Sequence, residues 1–312
     1  MKATLIHNPN SGVLNRETPE DLSEALAGVG YETTYKTSES PEHLDEILEE
    51  VEGLVIVAGG DGSVRAVATR LIRKNIPLVV LPLGTANNIS RTLNGELDAM
   101  QIIAGLAQPR KRTFDVGRLY SPWGEDFFLE SLGIGFYASI LKSYEPEKGK
   151  SILRGIESIL EGLEEYNEPK SFELTLDGMD ISGEYILIEI LNTPTIGPRL
   201  RLASQANTHD GLLDVVRVKE SKDNGLVRII SSLLRGEVEE LPNVLVNQGK
   251  ILEIQWDGFP IHLDDQVLPV NEVGWRNGDM LPKDPENATL QVEILPRVLE
   301  FWIPEIENEE KG

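Results

Sequence analysis

Leu54-Val55-Ile56-Val57-Ala58-Gly59-Gly60-Asp61-Gly62-Ser63 is the stretch on which the fold turns. Its apolar start, rich in β-branched residues, reads as a strand buried on both faces. The residues beyond it, Val64, Val67, Ala68, Leu71 and Ile72, fall at helical spacing. A strand, a glycine-rich turn and a helix in that order form half of a parallel crossover unit.

The same pattern recurs on both sides. Downstream, Ile76 to Leu81 reads as a strand, Pro82-Leu83-Gly84-Thr85-Ala86-Asn87-Asn88 as a loop, and Ser90 to Leu93 as the re-entry into helix. Upstream, Thr4-Leu5-Ile6 leads into the turn formers Asn8-Pro9-Asn10-Ser11-Gly12 and then an amphipathic stretch from Glu20 to Ala27. These units predict a doubly wound α/β domain with a parallel sheet. The loops after its strands gather at one edge, where open α/β folds bind ligands. Loops rich in Gly, Asn, Ser and Thr at that edge suit an anion, because glycine lets the backbone approach closely and a following helix presents unpaired amides.

The rest of the chain alternates and turns like paired strands: Ser171 to Leu176, Asp177-Gly178, Ile186 to Leu191, Leu212 to Val218, Ile251 to Trp256, Pro260 to Leu263 and Leu290 to Leu295. This half is expected to be mainly β. Helical patterns interrupt it around Ile152 to Leu163 and Leu226 to Leu234. Ser121-Pro122-Trp123-Gly124 reads as a turn, so residues 1–120 form the first domain and 121–297 the second.

With 312 residues and 40% hydrophobic content, the chain can bury the cores of two domains. A net charge of −23 argues against nucleic-acid binding. Any phosphate site must therefore rely on backbone donors, a few Arg side chains and a divalent cation. Acidic runs such as Asp45 to Glu52, Glu161 to Glu165 and Glu307 to Glu310 read as solvated faces or a tail. There is no cysteine, and His7, His43, His209 and His262 are dispersed, each read as structural or solvated rather than as a zinc ligand. The lack of a long apolar run or a signal-like start points to a cytoplasmic protein.

Gly59 to Ser63 matches neither the dinucleotide fingerprint nor the P-loop. An Asp inside such a loop makes sense if it orients a metal-bound water, bonds a ribose or activates a hydroxyl; otherwise Asp61 caps its own helix.

Taken with Pro82 to Asn87, the loop resembles the catalytic region of the diacylglycerol kinases, a group that includes bacterial lipid kinases and sphingosine kinases and is distantly similar to the NAD kinases. Asn8 to Gly12, Thr37, Asp115-Val116-Gly117, Phe127-Phe128-Leu129, Gly133-Ile134-Gly135, Asn207 to Val215 and Leu263-Asp264-Asp265-Gln266 extend the resemblance over nearly the whole chain. It implies an ATP-dependent kinase that phosphorylates a lipid hydroxyl, diacylglycerol or similar, in a cleft between the α/β domain and a second domain that is a β-sandwich, with residues 298–312 returning to the first domain. Asn8, Pro9, Asn10, Ser11, Gly12, Thr37, Gly59, Gly60, Asp61, Gly62, Ser63, Val64, Arg65, Gly84, Thr85 and Asn87 would hold the nucleotide. Asp210, with the carbonyls of Asn207 and Leu212, would hold a structural Mg2+, whose oxygen-only ligation suits that ion. Without the resemblance, Asp210-Gly211 reads as a plain turn. The catalytic positions would be Asp61, Asp264 and Gln266.

Several positions depart from the family pattern. Ser63, Arg65 and Ala66 replace Thr, Asn and Glu; Asn88 replaces an acid; Glu130 stands where Asn is usual; and Gln266 stands where the family has its Glu base. An amide cannot take a proton from a hydroxyl. Two other readings therefore stay open: a nucleotide- or lipid-binding pseudokinase, and a kinase of NAD or another soluble alcohol. The acidic surface implies only transient membrane contact, and an exposed strand edge offers a route to a homodimer.

Overall fold

The computed structural model describes residues 1–9, 17–38, 40–135, 138, 169–197, 199–219, 232, 235, 237–256, 259, 261–268 and 288–305. The chain divides into two units, Met1–Phe114 with Arg297–Gly312, and Asp115–Pro296.

The first unit alternates β1 (Lys2–His7), α1 (Pro19–Gly28), β2 (Glu32–Thr37), α2 (Pro41–Glu49), β3 (Leu54–Gly59), α3 (Asp61–Arg70), β4 (Leu78–Pro82), α4 (Asn88–Asn94) and α5 (Ala99–Gly105), and then enters β5 (Arg110–Ser121). The strands run parallel in the order β2-β1-β3-β4. Every residue of β3 is buried, as expected of a central strand covered on both faces. Leu5, Ile56, Val79 and Leu81 pack with Leu22 and Leu26 of α1 and Ile102 and Ile103 of α5 in one core cluster. Start signals for α1 and α2 are strong: Thr18 and Asp21 form a capping box, Ser40 caps α2, and Pro19 and Pro41 open the first turns. Residues 298–303 return to this unit, where Phe301 pairs in parallel with Leu78.

The second unit is antiparallel. Its elements are β6 (Gly124–Phe128), β7 (Ser131–Gly135), β8 (Lys170–Phe172), β9 (Leu174–Leu176), β10 (Met179–Asp180), β11 (Gly183–Tyr185), β12 (Leu187–Leu191), β13 (Thr195–Ile196), β14 (Leu200–Arg201), β15 (Leu213–Val218), β16 (Val244–Gly249), β17 (Ile251–Trp256), β18 (Ile261–Leu263), β19 (Gln266–Leu268) and the first part of β20 (Ala288–Ile303). One sheet has the order β16-β15-β12-β7-β18-β19; β10, β9, β17 and the first part of β20 are hydrogen-bonded neighbours in another. Leu132, Ile134, Ile188, Ile190, Ile261 and Leu263 from the first sheet meet Leu174, Leu252, Ile254, Leu290 and Val292 from the second in one core cluster, which makes the unit a sandwich.

Ser121 pairs with Gly124 in a tight hairpin inside this unit; the chain leaves the first unit earlier, between Phe114 and Asp115. The helical patterns read around Ile152 to Leu163 and Leu226 to Leu234 lie outside the described residues, apart from Ser232. Among the described residues, no helix is long and apolar enough to cross a membrane.

Candidate functional site

With strand order β2-β1-β3-β4, the chain reverses direction across the sheet between β1 and β3, and the loops after these two strands open the crevice where such folds bind ligands. Asn8 follows β1, Gly60 follows β3, and Gly84 follows β4. Thr37 lies at the same edge, ending β2 opposite His7.

These loops are tied together by short polar links and by the absence of side chains. Asn8 Nδ2 donates to Ser63 Oγ at 2.9 Å. The Leu83 amide donates to the Gly59 carbonyl at 3.1 Å. A Cβ added to Gly84 would come within 2.4 Å of Gly60 Cα and 2.8 Å of Asn87 Oδ1, so the two backbones touch only because both residues are glycine. Asn87, in the left-handed region at φ 54°, accepts from the Gly84 amide at 2.8 Å and donates to its carbonyl at 2.9 Å.

Asp61 is the first residue of α3, but it does not cap that helix. Gly60 occupies the N-cap and makes no side-chain cap bond. The Asp61 carboxylate instead accepts the Ile89 amide at 2.9 Å, fastening the start of α4 to the loop after β3. The Ser63 and Val64 amides return to the Gly60 carbonyl, whereas the helices that open with Thr18, Ser40 and Asp98 fill their first turns with side chains. An anion at the start of α3 would meet backbone N–H groups and the positive end of the helix dipole. The glycine cradle and the uncapped helix fit a nucleotide phosphate.

Of the predicted nucleotide residues, Asn8, Pro9, Gly59, Gly60, Asp61, Gly62, Ser63, Gly84, Thr85 and Asn87 line this edge. Val64 buries its side chain and spends its amide on Gly60, so its part is structural. Arg65 is largely buried in α3. Asn10, Ser11 and Gly12 lie outside the described residues. Asn88, which stands for an acid of the family pattern, is 1% exposed. His7, read from the sequence as structural or solvated, is structural: it lies directly before Asn8, buried with Nδ1 3.1 Å from Tyr35 Oη. Burial holds its ring below the ordinary imidazole range, which keeps it neutral.

In the second unit the late motif forms a two-residue turn, Asp264-Asp265, between β18 and β19. Asp264 Oδ1 accepts the amides of Glu130 at 2.8 Å and Ser131 at 3.1 Å, and Oδ2 accepts that of Leu129 at 3.0 Å. Its own amide donates to the Ser131 carbonyl at 2.8 Å. The Asp264 carboxylate therefore anchors this turn to the chain segment that enters β7, while Gln266 stands exposed beyond it. The Glu130 carbonyl accepts the amides of Asn192 and Thr193, fixing that segment from the other side.

Asp210 is exposed, and Oδ1 accepts the Leu212 amide at 3.0 Å in a local turn. The neighbouring Gly211 amide donates to buried Asp115 at 2.7 Å, and the Asp115 amide donates to the Thr208 carbonyl at 2.6 Å. A carboxylate with the Asn207 and Leu212 carbonyls is an oxygen-only donor set, the type that magnesium accepts. Among the described residues, no group of three or more His, Asp or Glu could hold a metal by itself. The Asp115-Val116-Gly117 motif also has a packing role, since a Cβ on Gly117 would fall 2.0 Å from the Phe128 ring.

Residues 2–119 match the family described as diacylglycerol kinase catalytic domain, and residues 151–301 match the YegS C-terminal NAD kinase beta sandwich-like domain. Proteins named diacylglycerol kinase from Staphylococcus aureus strains JH9 and Newman are each 28% identical over 285 residues, covering 86% of this chain and 88% of theirs. The crystal structure of a diacylglycerol kinase from Bacillus anthracis str. Sterne has the same fold, with a TM-score of 0.68, 19% identity and 97% of each chain covered.

Proposed function

We propose, for a chain that belongs to the diacylglycerol kinase catalytic-domain family, that it transfers the γ-phosphate of ATP to the hydroxyl of a diacylglycerol-like lipid. The observation that carries this reading is the cradle in which Gly60 and Gly84 touch backbone to backbone and the uncapped α3 begins. Bound magnesium would neutralise phosphate charge, and Asp210 with the carbonyls of Asn207 and Leu212 is the set that would hold a structural ion.

The chain's own groups divide the work. Asn8, Gly59 to Ser63, Gly84, Thr85 and Asn87 bind and orient the phosphates; Asp61 holds α4 in register with them through Ile89, and its charge would orient a metal-bound water beside them. In the second unit, Asp264 fixes the turn that presents Gln266 to the acceptor hydroxyl. Gln266 orients that hydroxyl by hydrogen bonding but cannot remove its proton. Phosphoryl transfer depends mainly on positioning and charge neutralisation, so turnover survives at a reduced rate, with ADP as the leaving group and the hydroxyl proton lost to water. Lipid reaches the protein by transient membrane contact.

Buried Asn88 and exposed Gln266 favour a second reading, a nucleotide-binding protein without turnover. The test is transfer from radiolabelled ATP to diacylglycerol vesicles by the wild type and by Gln266→Glu. The kinase reading expects measurable transfer that rises about a hundredfold with the restored base. ATP binding without transfer by either protein supports the second reading.

A further inference from the structure

Alternate residues of β7, β12 and β18 feed the sandwich core; the residues between them, Gly133, Glu189 and His262, share the opposite face. Gly133 pairs with Glu189 on one side and with His262 on the other. A Cβ on Gly133 would lie 2.2 Å from both Glu189 Oε1 and His262 Nε2, so the missing side chain is what lets the two meet across the central strand.

His262 Nε2 lies 3.0 and 3.1 Å from the two Glu189 oxygens, and both side chains have 0% exposure. Its other nitrogen, Nδ1, lies 3.1 Å from the Asp264 carbonyl, which can only accept. Nδ1 therefore carries a proton, and a carboxylate at Nε2 calls for a second. Burial by itself pushes the ring down, but Glu189 and the Asp264 carbonyl outweigh it and hold His262 above the ordinary imidazole range.

A buried ion pair seldom adds stability over an apolar pair of the same volume, because desolvation offsets its attraction. What this pair does add is geometry. Asp264 takes φ 51°, a left-handed conformation unusual outside glycine. Its carbonyl is held by His262, and its carboxylate by the amides of Leu129, Glu130 and Ser131.

We infer that the Glu189–His262 pair, seated over Gly133, is the positioning device of the acceptor turn. It holds the Asp264 backbone so that the carboxylate anchors the turn and Gln266 keeps the orientation that transfer needs. Glu189 and His262 touch no substrate; they act through Asp264. This rests on the kinase reading above.

The experiment uses the full chain in three measurements. In wild type, nitrogen NMR of the His262 ring followed upward from pH 6.5 is expected to show both nitrogens still protonated where a free imidazole has lost one proton; loss of the second proton at or below that pH overturns the pair. Glu189→Gln, which keeps size and removes charge, and Gly133→Ala, which pushes the partners apart, are expected to lower kcat for lipid phosphorylation about ten- to a hundredfold, with KM for ATP unchanged. Glu189→Asp, which keeps the charge, should recover part of the loss. Unchanged kcat, or equal loss of ATP binding, overturns the inference. If wild type transfers phosphate to no lipid, the kinase reading fails separately. The positioning role is then judged by hydrogen exchange at Leu129, Glu130 and Ser131, which must accelerate in Glu189→Gln; unchanged exchange rejects it.

Discussion

The loops after β1, β3 and β4 and the Asp264 turn after β18 hold their shapes by opposite means. The first set is made of backbone. Gly60 and Gly84 touch because neither has a side chain, and Asn87 turns back on Gly84 through two hydrogen bonds. The second is made of charge. One carboxylate collects three amides, and behind it a buried histidine and glutamate sit where a side chain has been omitted. In a chain of net charge −23 the loop cradle draws on neutral donors, whereas the Asp264 turn is fixed by directional charged contacts.

The comparison breaks most visibly at Asp61, the one carboxylate built into the backbone-made region. Asp61→Asn keeps an oxygen for the Ile89 amide and removes only the charge. Phosphate transfer is expected to fall by about a thousandfold while thermal stability stays near wild type, because positioned charge rather than the loop's shape is lost. Kinetics and a melting curve on the same preparation check this; full activity would make Asp61 a scaffold residue.

Asp264→Asn probes the other region. An amide cannot accept from all three backbone donors, and buried N–H groups left without partners cost about 1–3 kcal/mol each. Urea unfolding should therefore show a loss of about 2–4 kcal/mol, alongside loss of transfer. Gly84→Ala is milder. Its Cβ forces the loop away from Gly60, raising KM for ATP about tenfold with a stability cost of about 1–3 kcal/mol, seen by ATP titration and melting.

The smallest effect is a pH dependence. The folded-state pKa of His262 is raised above 6.5, so the stability from its charged form is fully present below that value and is lost as pH rises through the folded pKa. The melting-temperature gap between wild type and Glu189→Gln should narrow as the medium becomes alkaline. A gap that widens would mean that folding lowers the His262 pKa instead of raising it.

How much of this could be read from sequence follows from the same contrast. The glycine cradle was legible because turn chemistry is local: Gly59 to Ser63 and Pro82 to Asn88 announce their conformations through residues that few other settings need. The parallel sheet and the β-rich half were legible for a similar reason, since burial on both faces and alternation leave different patterns. The partners of Asp61 and Asp264 were not. Both carboxylates bind backbone amides, at Ile89 and at Leu129 to Ser131, which any residue could supply.

Glu189 was hidden in another way. In Leu187-Ile188-Glu189-Ile190-Leu191 it reads as an outward residue, yet that face is covered by a second cluster containing Leu187, Leu191 and Val216. His262 was read as structural or solvated, and only its partner gives it a role. The available clue was Gly133, a glycine inside a strand, where a close approach of other groups is the common reason.

Transfer of label from radioactive ATP to diacylglycerol in vesicles, with magnesium and with Asp61→Ala as control, tests the kinase reading most directly. Label in the lipid that requires magnesium and disappears in the variant is the expected result. ATP bound at the glycine cradle with no label in any lipid, including after Gln266→Glu, would contradict it.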